Sequence, residues 1–217
     1  MEDDARRGRL SRMHAVAEAK DALGPWDPIT PSDAVHLFER APFWWAVAGG
    51  WAIDVFLGTQ TREHHDLDLA FARHEQGLVF ETLVLQGWDV HVAAGGRLTP
   101  WRGERLDTAD NNLWCRRPGE AAWRFDLVVT EIDDGDWVFR RNPRVRLAID
   151  DAITVGAPSF VSPHVQLLFK ARHRQAKDDA DLAAVVSRLG PERRRWLHDA
   201  LRVTEGPEHP WIAFVRA

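Results

Sequence analysis

The pattern of hydrophobic and polar positions divides the chain into a first part with mixed periodicity and a second part with helical periodicity. In the first part the pattern predicts helices over residues 10–23, 31–40, 51–57 and 74–86. Between and after them it predicts strands over residues 44–48, 65–72, 88–93, 97–101, 111–117, 122–130 and 136–140. After Pro158 the apolar spacing is helical over residues 163–175, 178–189, 192–203 and 210–216, with no evident strand. The sequence thus predicts a mixed α+β domain over 1–150 and a helical domain over 151–217.

The predicted strand over residues 65–72 contains two acids at positions where strands normally carry other residues. Leu67 and Leu69 alternate like a buried face, whereas Asp66 and Asp68 occupy positions between and beside them. Side chains at i and i+2 of a strand point the same way, with Cα atoms roughly 7 Å apart, so the two carboxylates are held close together. A bound divalent cation such as Mg²⁺, which prefers carboxylate oxygen, would relieve their repulsion.

A third acid of the same kind, Asp126, interrupts the apolar strand predicted over residues 122–130. Three acids on adjacent strands can share two ions ~4 Å apart, an arrangement that serves phosphoryl or nucleotidyl transfer. Asp107 and Asp110 compete for the third position, but they lie among polar turn residues rather than within an apolar strand.

The glycine pair Gly49-Gly50 follows a predicted strand and opens a predicted helix. Such a turn can present backbone N–H groups at a helix N-terminus to phosphate oxygens without obstruction by side chains. A bare glycine pair is common, but a strand, a glycine pair and a helix followed by an acid-bearing strand form a specific pattern. Arg62 and His64 lie just before that strand, where they could reach a triphosphate or order the loop.

Composition and charge exclude several classes of protein. The net charge of −5 argues against a protein whose main task is to bind a nucleic-acid backbone. No apolar run approaches the ~20 residues that a membrane span requires, and the first residues lack the apolar segment of a signal peptide, which predicts a cytoplasmic protein without a membrane partner. The single cysteine, Cys115, is interpreted as a core thiol.

The stretch from residue 46 to residue 72 carries the motif G-G-W-x-x-D followed by G-x-x-T-R-x-H-x-D-[ILV]-D. Its positions are occupied by Gly49, Gly50, Trp51, Asp54, Gly58, Thr61, Arg62, His64, Asp66 and Asp68. In this motif the chain resembles the nucleotidyltransferases of the aminoglycoside 2″-nucleotidyltransferase type, within the polymerase-beta-like superfamily. The resemblance continues loosely through Asp126 and through the segments LLFKA and KDDAD.

The resemblance implies a fold, a reaction and a set of site residues. The implied fold is the polymerase-beta-like nucleotidyltransferase fold, a mixed sheet flanked by helices, followed by a C-terminal helical bundle. The implied reaction is Mg²⁺-dependent transfer of a nucleoside monophosphate, AMP from ATP in the expected case, to an acceptor hydroxyl with release of pyrophosphate. Asp66, Asp68 and Asp126 would hold two Mg²⁺ ions, and Asp126 is either a metal ligand or the base that takes the acceptor proton.

The same resemblance assigns nucleotide binding to residues in both parts of the chain: Gly49, Gly50, Arg62, His64, Lys170 and Lys177. Lys170 and Lys177 stand out because only three of the 28 basic residues are lysines. A compact ammonium group suits a triphosphate as a point charge. The resemblance favours a position in the cleft for both, whereas composition alone favours the surface.

The acceptor and two other classes of function stay open. Acids clustered after the Asp126 strand, at Glu131, Asp133, Asp134 and Asp136, could attract a polycationic acceptor such as an aminoglycoside, or form a solvated turn. Lincosamides and other small hydroxyl compounds are alternatives. A nucleotidyltransferase acting on tRNA or on a protein, as in toxin–antitoxin systems, and a non-catalytic nucleotide-binding module are the other two classes. The sequence does not indicate an oligomeric state.

Overall fold

The computed structural model of the protein describes residues 23–216. Its α-helices are α1 (Pro31–Leu37), α2 (Gly49–Leu57), α3 (Gln76–Leu85), α4 (Ile149–Ala152), α5 (Pro163–Ala171), α6 (Ala176–Val186) and α7 (Pro191–Thr204). Short 3₁₀ helices cover Arg73–Glu75 and Pro210–Ala213. Apart from its last position, the helix predicted over residues 10–23 lies outside the described residues. Within residues 23–216, no helix is long and apolar enough to cross a membrane.

The strands form a mixed sheet with the expected α+β architecture. They are β1 (Trp45–Val47), β2 (Asp68–Ala72), β3 (Asp89–Ala94), β4 (Arg97–Pro100), β5 (Asn112–Arg116), β6 (Phe125–Asp133), β7 (Asp136–Val138), β8 (Arg146–Ala148), β9 (Ile153–Thr154) and β10 (Phe160–Val161). The order across the sheet is β4-β3-β5-β6-β2-β1-β10-β9, and β7 pairs with both β6 and β8. The β2–β6 and β1–β10 pairs are parallel, and the other pairs are antiparallel.

The alternation of residues in β2 separates two hydrophobic cores. Leu69 and Phe71 are fully buried in a core that also contains Phe125 and residues of α1 and α3. Ala70 belongs to the second core, which includes residues of the C-terminal helices α5, α6 and α7. Because side chains alternate between the faces of a strand, Asp68 lies on the same face as Ala70, toward the C-terminal helices.

Several element bounds differ from those that the sequence predicts. The strand predicted over residues 65–72 begins at Asp68, and the glycine pair forms the first residues of α2 rather than a turn before it. Strands β8, β9 and β10 were not predicted, because segments of two or three residues are too short to show a period of two. Strand β10 pairs with β1, so the sheet continues beyond Pro158. The division into domains over 1–150 and 151–217 stays a prediction.

Candidate active site

Two of the three predicted acids lie side by side at the start of parallel strands. Asp68 is the register partner of Asp126 in the β2–β6 pair. The N–H of Asp126 donates to the carbonyl of Leu67 at 2.8 Å, which extends the pairing one residue before β2. The third acid, Asp66, lies just ahead of the strand and is partly buried. The sheet therefore brings Asp68 and Asp126 together, with Asp66 two residues from Asp68.

The first glycine of the pair is required by the position of the Asp68 carboxylate. Gly49 has a φ of +64°, a left-handed backbone conformation that residues other than glycine rarely adopt. A Cβ atom at this position would also collide with Oδ2 of Asp68. Gly49 thus allows the start of α2 to approach the acid directly.

The Asp126 carboxylate is held by two donors from the neighbouring strand β5. Nδ2 of Asn112 and Nε1 of Trp114 both donate to Oδ2 of Asp126, at 2.6 and 3.1 Å. Asp126 is only 4% exposed. Its carboxylate is thus held in a fixed orientation beside Asp68. Asn112 and Trp114 alternate along the predicted strand over 111–117, and this same-face spacing was the signal that could have found them.

The loop before β2 folds onto helix α2 through Asp54. Nε2 of His64 lies 2.5 Å from Oδ2 of Asp54, while Oδ1 of Asp54 accepts from the backbone N–H and the hydroxyl of Thr61. The ring of Trp51 packs on His64 at 4.5 Å between centroids. A Cβ atom at Gly50 would collide with Arg62 and His64, so the second glycine makes room for this loop.

His64 has a lowered pKa because burial disfavours its charged form. The hydrogen bond with Asp54 acts in the opposite direction, and the charge of Arg62 adds to the lowering. Through its bond with Asp54, His64 orders the loop before the acids, and its contact with a triphosphate stays a prediction.

Arg62 and Lys170 meet at one buried acid, Asp181 on α6. The Nε of Arg62 lies 3.3 Å and the Nζ of Lys170 lies 2.9 Å from its carboxylate oxygens. Burial alone would raise the pKa of Asp181, but the charges of Lys170 and Arg62 outweigh burial and lower it. Lys170 also pairs with Asp178 at 3.1 Å. These ion pairs join the loop before β2 to the C-terminal helices, and binding of the nucleotide by Arg62 and Lys170 stays a prediction.

The other predicted charged residues lie in different surroundings. Lys177 is exposed at the start of α6. Asp107 and Asp110 hold a turn, since Oδ1 of Asp107 accepts from the N–H of Ala109 at 2.6 Å and Oδ2 of Asp110 accepts from the N–H of Asp107 at 3.3 Å. Neither acid of this turn belongs to the pair formed by Asp68 and Asp126.

The acidic cluster after the Asp126 strand is largely neutralised. Arg146 pairs with Asp133 and Asp136 at 2.9 and 3.1 Å. Glu131 lies 2.5 Å from the Nε of Arg73. Only Asp134, at the tip of the turn between β6 and β7, has no ion pair within residues 23–216. The cluster thus resembles a paired surface turn more than an attractant for cations.

A cavity of about 180 Å³ opens beside Asp68. It lies between the sheet and helix α5, and its lining includes Gly49, Asp68, Asn112, Glu131, Arg140, Arg141 and Gln166. The cavity therefore joins the start of α2, an acid of the pair and the amide that holds Asp126. The two arginines and Gln166 were not singled out from the sequence, because no motif or local pattern marks them.

The three predicted metal ligands suit a divalent cation in type. Carboxylate oxygen is the ligand that Mg²⁺ prefers, and Asp68 and Asp126 are adjacent. Among residues 23–216, however, no three His, Cys, Asp or Glu side chains converge closely enough to hold a metal ion. Asp66, Asp68 and Asp126 stay the predicted ligands.

Comparison with known proteins supports the same group of enzymes. The family model described as aminoglycoside-2″-adenylyltransferase matches residues 32–107. A lincosamide resistance protein from Staphylococcus haemolyticus is 43% identical over 46 residues, which are 21% of this chain and 29% of that protein. The match thus covers less than a third of the length of this curated relative.

Two solved structures share the fold. The lincosamide antibiotic adenylyltransferase LnuA, crystallised with lincomycin bound, has a TM-score of 0.52 and 22% identity, covering 73% of this chain and 98% of its own. The crystal structure of ANT(2″)-Ia in complex with adenylyl-2″-tobramycin has a TM-score of 0.55 and 17% identity, covering 81% and 98%. At these identities the likeness establishes the polymerase-beta-like fold. Over residues 32–107 the chain is thus similar to the aminoglycoside-2″-adenylyltransferase family, and it shares its fold with two adenylyltransferases of known structure.

Proposed function

We propose that this protein transfers a nucleoside monophosphate, AMP from ATP in the expected case, to a hydroxyl group of a small antibiotic molecule. The observation that carries the proposal is the pairing of Asp68 with Asp126 beside Gly49 at the start of α2. The names of the relatives support it, because they describe adenylyltransferases and a resistance protein directed at lincosamides and aminoglycosides.

The acceptor oxygen attacks the α-phosphorus of the triphosphate, and the bond from that phosphorus to the bridging oxygen of the β-phosphate breaks. Pyrophosphate leaves, and the hydroxyl proton passes to the carboxylate of Asp126. Asn112 and Trp114 hold that carboxylate in place through its Oδ2. Bound Mg²⁺ would supply charge stabilisation for the phosphate oxygens, and Asp66 and Asp68 would hold it, with Asp126 as a third ligand in the alternative in which it is not the base.

The charges around the cavity favour an acceptor without multiple positive charges. Arg146 neutralises Asp133 and Asp136, and Arg73 neutralises Glu131. The cavity itself contains Arg140 and Arg141. Since acids that are already paired attract a polycation only weakly, a lincosamide-type hydroxyl compound fits the charge distribution better than an aminoglycoside.

The test is a screen for pyrophosphate release with each nucleoside triphosphate in the presence of Mg²⁺. The acceptors are lincomycin, tobramycin and total tRNA, and Asp68→Asn is the inactive control. We expect release that depends on lincomycin and on Asp68. Release with tRNA alone would replace the proposed acceptor with a macromolecule. Absence of release with every acceptor, from a protein that still binds nucleotide, would support a non-catalytic binding module instead.

A further inference from the structure

Two neighbouring arginines in the cavity lack the carboxylate partners that other arginines of this region have. Arg140 and Arg141 follow strand β7 and line the cavity beside Asp68 and Gly49. Within residues 23–216 neither guanidinium is within 4.0 Å of a carboxylate oxygen, the limit for an ion pair. The Nε atom of Arg140 is buried and has no hydrogen-bond partner in the same part of the chain.

The surroundings of the two arginines only partly compensate their charge. Arg141 donates from Nη1 to the carbonyl of Phe169 at 2.9 Å, which fixes its position against α5. The Phe169 ring lies 5.8 Å from the Arg140 guanidinium, near the limit of a cation–π contact. Burial lowers the pKa of both arginines, and the charge of Arg140 lowers the pKa of Arg141 further.

The nearby acids do not neutralise the pair. Asp126 and Glu131 act on Arg140 from a distance, while Arg73 opposes them. Glu131 is already bound by Arg73. Arg141 faces Arg172 as well as Glu205. A half-buried guanidinium without a paired anion is costly in free energy, so a cleft that keeps two of them is typical of a site for an anionic ligand.

We propose that Arg140 and Arg141 form an oxyanion subsite of the cavity, which binds a phosphate group of the ligand. A guanidinium is planar and can donate two parallel hydrogen bonds to phosphate oxygens. Arg140 supplies the free donors, and Arg141 holds the segment on α5. The assignment of the phosphate rests on the proposed function: it belongs to the polyphosphate of the nucleotide or to an acceptor that carries a phosphate.

The experiment measures binding of inorganic pyrophosphate with Mg²⁺ to the full chain by calorimetry. Arg140→Gln should weaken binding by about 10- to 100-fold, the range for hydrogen bonds to charged groups. Arg140→Lys keeps the positive charge but loses the planar pair of donors. Its affinity for pyrophosphate should lie between that of the unmodified protein and that of Arg140→Gln. The matched control is Arg144→Gln, since Arg144 is an exposed arginine on the same segment, and it should bind like the unmodified protein. Circular dichroism verifies that each variant is folded.

Repeating the titration with a saturating non-hydrolysable nucleotide separates the two sources of phosphate. Displacement of pyrophosphate by the nucleotide assigns the subsite to the polyphosphate. Binding that persists and still depends on Arg140 assigns it to a phosphate on the acceptor. If Arg140→Gln and Arg140→Lys bind pyrophosphate as tightly as the unmodified protein, with and without the nucleotide, the proposal is wrong. Because no turnover is needed, a failure of transfer with intact Arg140-dependent binding would count against the proposed function alone.

Discussion

Nε2 of His64 lies 2.5 Å from Oδ2 of Asp54, and both side chains are 3% exposed. The pair fastens the loop before β2 to helix α2, so it fixes the direction from which the chain reaches Asp66 and Asp68. Its effect on the acids is indirect, through the backbone of the loop. Three motif residues, Asp54, Thr61 and His64, are thus joined in one buried network.

Asp54→Ala should destabilise the protein, because it leaves the buried donors of Thr61 and His64 without their acceptor. The expected loss in the free energy of unfolding is about 1–3 kcal/mol, measured by urea denaturation. Glu81→Ala, which changes an exposed acid on α3, is the control and should be nearly neutral. Equal stabilities for the two variants would show that the network contributes little to the fold.

Gly49→Ala should lower activity more than the strain of its left-handed backbone alone would. The new Cβ atom would displace the Asp68 carboxylate, and we expect turnover to fall by at least about 100-fold. Gly95→Ala is the matched control: its φ is +58° and nothing lies near the added atom. It should lose about 1–2 kcal/mol of stability through the left-handed backbone, with unchanged turnover. Similar activities of the two variants would contradict the close approach of Gly49 to Asp68.

Asp66→Asn and Asp68→Asn should each abolish transfer while leaving the melting temperature unchanged or slightly higher. Neutralising one of two crowded carboxylates relieves their repulsion in the metal-free protein, but removes a predicted ligand of the metal. Turnover and thermal unfolding are measured on the same preparations. More than about a tenth of the original activity in both variants would rule out the two-metal assignment.

Asp126→Asn separates proton transfer from metal binding. If Asp126 is the general base, turnover should fall by about 10²–10⁴-fold while affinity for a non-hydrolysable nucleotide stays nearly constant. If it is mainly a metal ligand, the Mg²⁺-dependent affinity for the nucleotide should fall as well. Calorimetry beside steady-state kinetics distinguishes the two cases. Full activity in this variant would mean that Asp126 is a structural acid.

A substitution of Asn112 tests whether its hydrogen bond to Asp126 matters for catalysis. Asn112→Leu removes one of the two donors to Oδ2 of Asp126. We expect a smaller loss of turnover than in Asp126→Asn, together with a shift in the pH dependence of the rate. A change in stability without a shift in the pH profile would indicate that Asn112 is only structural.

The buried His164 should make stability depend on pH. Burial lowers its pKa to about 3, far below its value in the unfolded chain, and the charge of Arg193 contributes. Between about pH 6.5 and pH 3, His164 binds a proton in the unfolded chain but stays neutral in the folded protein. The free energy of unfolding should therefore fall by up to about 1.4 kcal/mol for each unit that the pH drops below 6.5.

His164→Phe should flatten this dependence, because phenylalanine can keep a ring beside Trp196 and does not titrate. The measurement is urea denaturation of both proteins at several pH values from 7 to 4.5, where their difference isolates His164 from the carboxylates. Parallel curves for the two proteins would show that His164 is not the titrating group.

The sequence by itself determined those features of the fold and of the candidate site that depend on local periodicity and on a dense motif. Alternating apolar residues predicted the strands that carry Asp68 and Asp126, and the structure confirms that these strands are neighbours. The motif around Gly49 predicted the group of nucleotidyltransferases whose family model matches residues 32–107. Such features are readable because a strand or a helix imposes its period on consecutive residues.

Only the tertiary structure decided which distant residues meet. Asn112 and Trp114 reach Asp126 because β5 pairs with β6, and Asp181 binds both Arg62 and Lys170 because α6 packs near the loop before β2. The sequence assigned Arg62 and Lys170 to the nucleotide, whereas their nearest charged partner is a buried acid more than a hundred residues from Arg62. The paired state of the acidic turn and the positions of Arg140 and Arg141 likewise follow from packing. Charge balance in a cleft depends on distances in space, which no local pattern of residues records.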